Sequence, residues 1–99
     1  MVKISKPARA DLKSIYRYIS RDSIHYAREV ILTITEQIKT IKAFPFRGRV
    51  VPEIQDENIR EIFVHSYRII YRIRGNIEVA AVIHAKREFS EAIKDHIPE

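Results

Sequence analysis

An α+β domain is what this sequence predicts: an N-terminal strand, an antiparallel hairpin of two helices, a three-stranded antiparallel sheet and a short C-terminal helix. Three observations predict it. Apolar residues recur at helical spacing through the first half of the chain. After Pro52 the composition turns to β-branched and aromatic residues. Between the two lies "FPFRGRVVPE", residues 44–53, which holds two of the four prolines and one of the two glycines. With 99 residues the chain is one domain, 1–99, built on one modest core.

"MVKIS" reads as a first strand. Pro7 suits the opening turn of a helix, where its missing N–H is not needed. Ala8, Leu12, Ile15 and Ile19 then mark an amphipathic helix over residues 7–20. Asp22 or Ser23 can cap the second helix. Ala27, Val30, Ile31, Ile34, Ile38 and Ile41 carry that helix to its end before Pro45. The short link between the helices makes them an antiparallel pair.

"NIREIFVH", "YRIIYRIR" and "IEVAAVIHA" read as three strands. "SEAIKDH" reads as a closing helix with Ser90 as its cap. In the second strand Tyr67, Ile69, Tyr71 and Ile73 share a face, and Arg68, Ile70, Arg72 and Arg74 share the other. In the third, Ile77, Val79, Ala81 and Ile83 share a face opposite His84. A three-residue loop, Arg74 to Asn76, joins the apolar sets into one helix-facing core and leaves Arg68 and His84 together on the far face. A two-residue loop would instead place His84 with Tyr67. The three-residue loop is expected, because mispairing would turn arginine toward the helices.

The net charge of +5 favours an anionic partner: nucleic acid, an acidic protein or a membrane surface. Six Lys/Arg against two Asp/Glu lie between Arg60 and Arg87. No apolar run approaches bilayer length and no signal-peptide pattern opens the chain, so no membrane role and a cytoplasmic location are expected. The absence of cysteine excludes disulfides and thiolate metal sites. No spacing indicates a metal, and no glycine loop indicates a nucleotide cofactor.

The far sheet face is therefore expected to hold Arg60, Arg68, Arg72 and His84, with Arg87 just past the strand end. Several arginines on one surface make an anion site. Joined to a titrating histidine, and to Glu53 or Glu61 as a base, they make a minimal set for metal-free RNA cleavage. Taken singly, each has a plainer explanation. Exposed arginines are usually solvated surface, a lone histidine is usually a structural hydrogen-bonder, and Glu61 can simply pair with a neighbouring arginine. In the connector, Pro45 stops the second helix, Gly48 permits a tight turn and Pro52 stiffens the entry to the sheet. Arg47 and Arg49 extend the basic surface toward a target or partner.

In this order, "ADLKSIYRYIS", "FPFRGRVVPE", "IREI", "SYRIIYRI" and "VIHAKREF" resemble the RelE/ParE superfamily of type II toxins. The resemblance covers residues 1 to about 89. It implies two helices packed on an antiparallel sheet, and a cognate antitoxin that holds the toxin in a hetero-oligomer. RelE-like members are ribosome-dependent ribonucleases that cut mRNA. Arg68 and Arg87 match two arginines of that pattern. "NIREIFVH" offers only Arg60 where that branch is lysine-rich, it contains Glu61, and Ile93 stands near the place of the late tyrosine. "GRVVPE", "YRIIYR" and "IHAKRE" look more like the ParE-type branch, which implies poisoning of DNA gyrase by binding. The ribonuclease reading keeps Arg60, Arg68, Arg87, His84 and Glu53 as its catalytic set. A non-toxic basic binding module is the third reading.

Overall fold

The computed structural model describes residues 2–87, 89, 90 and 96. The chain runs β1 (Val2–Ile4), α1 (Lys6–Ser20), α2 (Ile24–Ala43), β2 (Arg49–Val50), β3 (Ile59–Val64), β4 (Tyr67–Arg74) and β5 (Asn76–His84). Local chemistry sets the helix starts. The Ser5 hydroxyl accepts the Ala8 N–H at 3.2 Å, with Pro7 in the first turn. The Ser23 hydroxyl accepts the Tyr26 N–H at 3.0 Å, so Ser23 is the cap of α2. Of the closing helix expected from "SEAIKDH", Ser90 is helical, as is Phe89 before it; residues 91–95 lie outside the described set.

The five strands form one mixed sheet in the order β1-β5-β4-β3-β2. β1 lies parallel to β5, and the other pairs are antiparallel. The sequence reading did not find β2, which is too short for any period to register. It pairs inside the connector, Arg49 opposite Glu61 and Val50 opposite Arg60.

Both helices cover one sheet face. Ala8, Ile15, Val30, Ile34, Ile38 and Ile41 pack on Ile62, Val64, Ile69, Tyr71, Ile77, Val79 and Val82. The other face is not open, as expected from sequence, but carries a smaller core. Val51 from the connector covers Ile59, Ile70, Ala81 and Ile83, with Ile54 and Phe89 at its rim.

The β4–β5 register differs from expectation for one reason. It starts as the three-residue loop requires, with Gly75 at φ +66°, Ile73 opposite Ile77 and Tyr71 opposite Val79. A bulge then inserts Ala80, and Ile70 pairs with Ala81. One extra residue exchanges the faces beyond it. Val82 joins the helix-side core, Ala81 and Ile83 move to the small core, and His84 lies opposite Tyr67. His84 and Arg68 are therefore on opposite faces.

Candidate functional site

β3 presents Ile59, Glu61 and Phe63 to the face away from the helices. Arg49 is the partner of Glu61 on β2, and Arg68 on β4 is opposite Phe63, diagonal to Glu61. Glu61 is thereby held between two arginines. Arg49 Nε reaches its Oε2 at 2.7 Å and Arg68 Nε reaches its Oε1 at 2.6 Å. The turn after β2 brings Glu53 over the same guanidinium. Arg68 Nη1 and Nη2 donate to its two oxygens at 2.8 and 2.7 Å. The Phe89 ring covers the guanidinium at 4.8 Å.

Arg68 is thus 7% exposed at its side chain and held by two carboxylates through Nε, Nη1 and Nη2, and Glu61 is fully buried. The hydrogen bonds from Arg68 hold the Glu53 carboxyl below its usual value, against the opposing effect of burial. Glu53 in turn raises the Arg68 pKa further above its usual range, again against burial, with Glu61 adding to the rise. A carboxylate stabilised in its ionised form and fixed by a fork is a weak base.

The remaining expected residues are dispersed. Arg60 lies opposite Tyr71, on the helix side, because His65 and Ser66 turn the β3–β4 hairpin with only two residues. Its guanidinium donates to the Glu57 and Gly48 carbonyls and stacks on Phe46 at 4.7 Å. Arg72 stays on the face with Arg68 and reaches Glu78 at 3.4 Å. Arg47 donates to Gln37 and Thr40 at the end of α2. Arg87 and His84 line a cleft of about 440 Å³ with Asp11, Tyr18 and Tyr67. The Lys86 N–H donates to His84 Nδ1 at 3.1 Å, and the ring meets Tyr67 edge-on at 5.4 Å. Burial raises the Tyr67 pKa, with Tyr26 and Tyr18 adding to it. The five residues of the ribonuclease set therefore fall in three places.

Sequence reasoning missed Tyr71 and Asp11 as organisers. Tyr71 is fully buried; its hydroxyl donates to the Pro45 carbonyl at 2.6 Å and accepts the Gly48 N–H at 3.1 Å, pinning the connector. A Cβ on Gly48 would stand 2.6 Å from the Glu61 carbonyl oxygen, so close approach explains this glycine. Asp11 accepts the Val82 N–H at 2.9 Å just past the bulge. A buried-side tyrosine with a polar tip was the available signal for Tyr71; none marked Asp11. Among the described residues no cluster of histidine and carboxylates could hold a metal ion, and no helix is long and apolar enough to cross a membrane.

A solved structure described as "Chromosomal ParDE TA system from P. aeruginosa" is similar, with TM-score 0.70 and 22% identity over 84% of this chain and 92% of that chain. At that identity the likeness establishes the fold. No curated protein sequence matches the chain. The family model for "ParE toxin of type II toxin-antitoxin system, parDE" matches residues 2–89. Spanning both helices and all five strands, that match places the chain in a family: it belongs to the ParE toxins of type II toxin–antitoxin systems.

Proposed function

We propose that this chain arrests growth by binding DNA gyrase and blocking its cycle, with no chemistry of its own. An acidic antitoxin neutralises it in a cytoplasmic hetero-oligomer, as the charge of +5 favours. The observation that carries the reading is the occupied fork of Arg68. An arginine that serves a scissile phosphate needs free donors directed at it. Here three of the five N–H donors of Arg68, one each from Nε, Nη1 and Nη2, go to Glu61 and Glu53, two carboxylates that already offset its charge, and His84 stands on the opposite face.

The test is to induce this protein alone in cells carrying a DNA-damage reporter, and to map mRNA ends in parallel. Growth arrest with the reporter on and mRNA intact is expected. The purified chain should also block supercoiling by gyrase. Arrest with a silent reporter and new mRNA ends would replace this reading with a ribosome-dependent endoribonuclease. Normal growth would leave a basic binding module.

A further inference from the structure

The cleft between α1 and the end of β5 takes no part in the Arg68 network. Its volume of about 440 Å³ lies within the range of small-molecule sites, about 300–1,000 Å³. Asp11, Ser14 and Tyr18 follow one another at spacings of three and four along α1, so they share one face. Asp11 and Tyr18 therefore stand about 10 Å apart along the helix axis. The Ala80 bulge turns Val82 and His84 to the same side of the sheet, and Tyr67 joins them from β4.

Donors collect where β5 ends. Arg87 lines the cleft there and has no carboxylate partner among the described residues. His84 Nδ1 accepts the Lys86 N–H at 3.1 Å, so the neutral ring carries its proton on Nε2, which has no acceptor among the described residues. Burial raises the Tyr67 pKa, which keeps its hydroxyl protonated and able to donate. Tyr18, close enough to contribute to that rise, is itself 69% exposed, an aromatic surface without cover. At the other end the sign reverses. Asp11 Oδ2 takes the Val82 N–H at 2.9 Å and His96 Nε2 at 3.1 Å, while Oδ1 meets only His96 Nε2, at 3.2 Å, and keeps a lone pair. The cleft thus joins an unpaired cation, flat aromatic rings and, about two helical turns before Tyr18, a carboxylate acceptor.

We infer that this cleft binds a purine nucleotide with a terminal 5′-phosphate and an exocyclic amine. The phosphate meets Arg87, His84 Nε2 and the Tyr67 hydroxyl; a guanidinium fork with further N–H and O–H donors suits its three terminal oxygens. The base lies against Tyr18, on an aromatic face of the kind that bases stack on. Its amine donates to Asp11 Oδ1. The Asp11 charge repels the phosphate and so sets one direction of entry, anion toward Arg87. Inorganic phosphate satisfies one end of the cleft only, and a nucleoside leaves Arg87 unpaired. The inference concerns the helix side of the sheet and is independent of the target that the toxin blocks.

The test titrates the full chain, labelled with ¹⁵N, with AMP. Saturable shifts at the Asp11, Ser14, His84 and Arg87 amides are expected, with the Val50 and Glu61 amides unmoved. Arg87→Gln and Tyr18→Ala change exposed side chains, so the spectra of the free variants should keep the parent dispersion. Each should weaken binding about tenfold, for the loss of a charge-assisted hydrogen bond or of a stacked ring. Adenosine, inorganic phosphate and UMP lack in turn the phosphate, the base and the exocyclic amine, and each should bind about tenfold more weakly than AMP. A 5′-phosphorylated oligoadenylate separates two sources of the same ligand: tighter binding than AMP names a strand end, equal or weaker binding a free nucleotide, and both support the site. No saturable shift at millimolar AMP would overturn the inference. Inorganic phosphate binding as tightly as AMP, or undiminished affinity in either variant, would also overturn it.

Discussion

Replacing Arg68 by alanine separates a structural role from a functional one. In the folded protein Arg68 holds Glu61, whose side chain is fully buried, and Glu53. Alanine leaves Glu61 with Arg49 alone, which stays at 2.7 Å but is 58% exposed. Breaking a buried ion pair costs about 3–5 kcal/mol. The surviving Arg49 contact puts the expected loss near the low end, about 3 kcal/mol, against a total of about 5–15 for a domain. With a urea slope of ~1.5 kcal/mol/M the midpoint should fall by about 2 M. The double variant Arg68→Met with Glu61→Leu removes both buried charges, and it should regain stability to within about 1 kcal/mol of the parent. Urea unfolding followed by circular dichroism measures all three proteins, and growth arrest is read in parallel. A loss below about 1 kcal/mol for Arg68→Ala would refute the network as described. If the double variant is stable yet fails to arrest growth, Arg68 acts on the target and the structural account of its burial is insufficient.

Other outcomes follow from the same geometry. Gly48→Ala forces a Cβ against the Glu61 carbonyl and the Tyr71 hydroxyl at 2.6 and 2.7 Å, and should destabilise by about 1–3 kcal/mol in urea unfolding. Tyr71→Phe strands the Gly48 N–H and the Pro45 carbonyl and should lose about 1–3 kcal/mol; the two changes combined should cost less than their sum, since they share the hydroxyl. Glu53 has its folded pKa lowered, so its contribution is complete above the unfolded carboxylate value and fades as pH falls through the lowered folded one. Glu53→Gln should therefore flatten the acid limb of a stability–pH profile. Arg87→Gln and His84→Asn should leave mRNA ends unchanged during growth arrest; a change in cleavage pattern would revive the ribonuclease reading.

Much of the architecture was legible because it is locally encoded. Pro7 opens α1, Asp22 or Ser23 stands ready to cap α2, Pro45 follows its end, and the apolar period of Ala27 to Ile41 is set by the helix itself; the structure adds Ser5 as the α1 cap and selects Ser23 for α2. The β3 to β5 strands declared themselves by composition. Alternation along β4 separated Arg68 from Tyr67 and Tyr71 correctly. It carried no information on how neighbouring strands align, so Arg60 was grouped with Arg68 although the two-residue turn at His65 and Ser66 sets it opposite Tyr71.

The sequence by itself determined two helices, three long strands and a positive chain with a stiff, turn-rich connector. Tertiary structure alone decided what the arginines touch. Ala80 is one ordinary residue in an apolar run, yet as a bulge it exchanges the faces of every residue beyond it in β5. The pairing of β2 with β3 brings Arg49 to Glu61, and the turn after it closes Glu53 over Arg68. These contacts join residues 7 to 15 positions apart across strands. Side-chain period is a property of one segment, whereas register and ion pairing are properties of two, and only the folded sheet supplies the second.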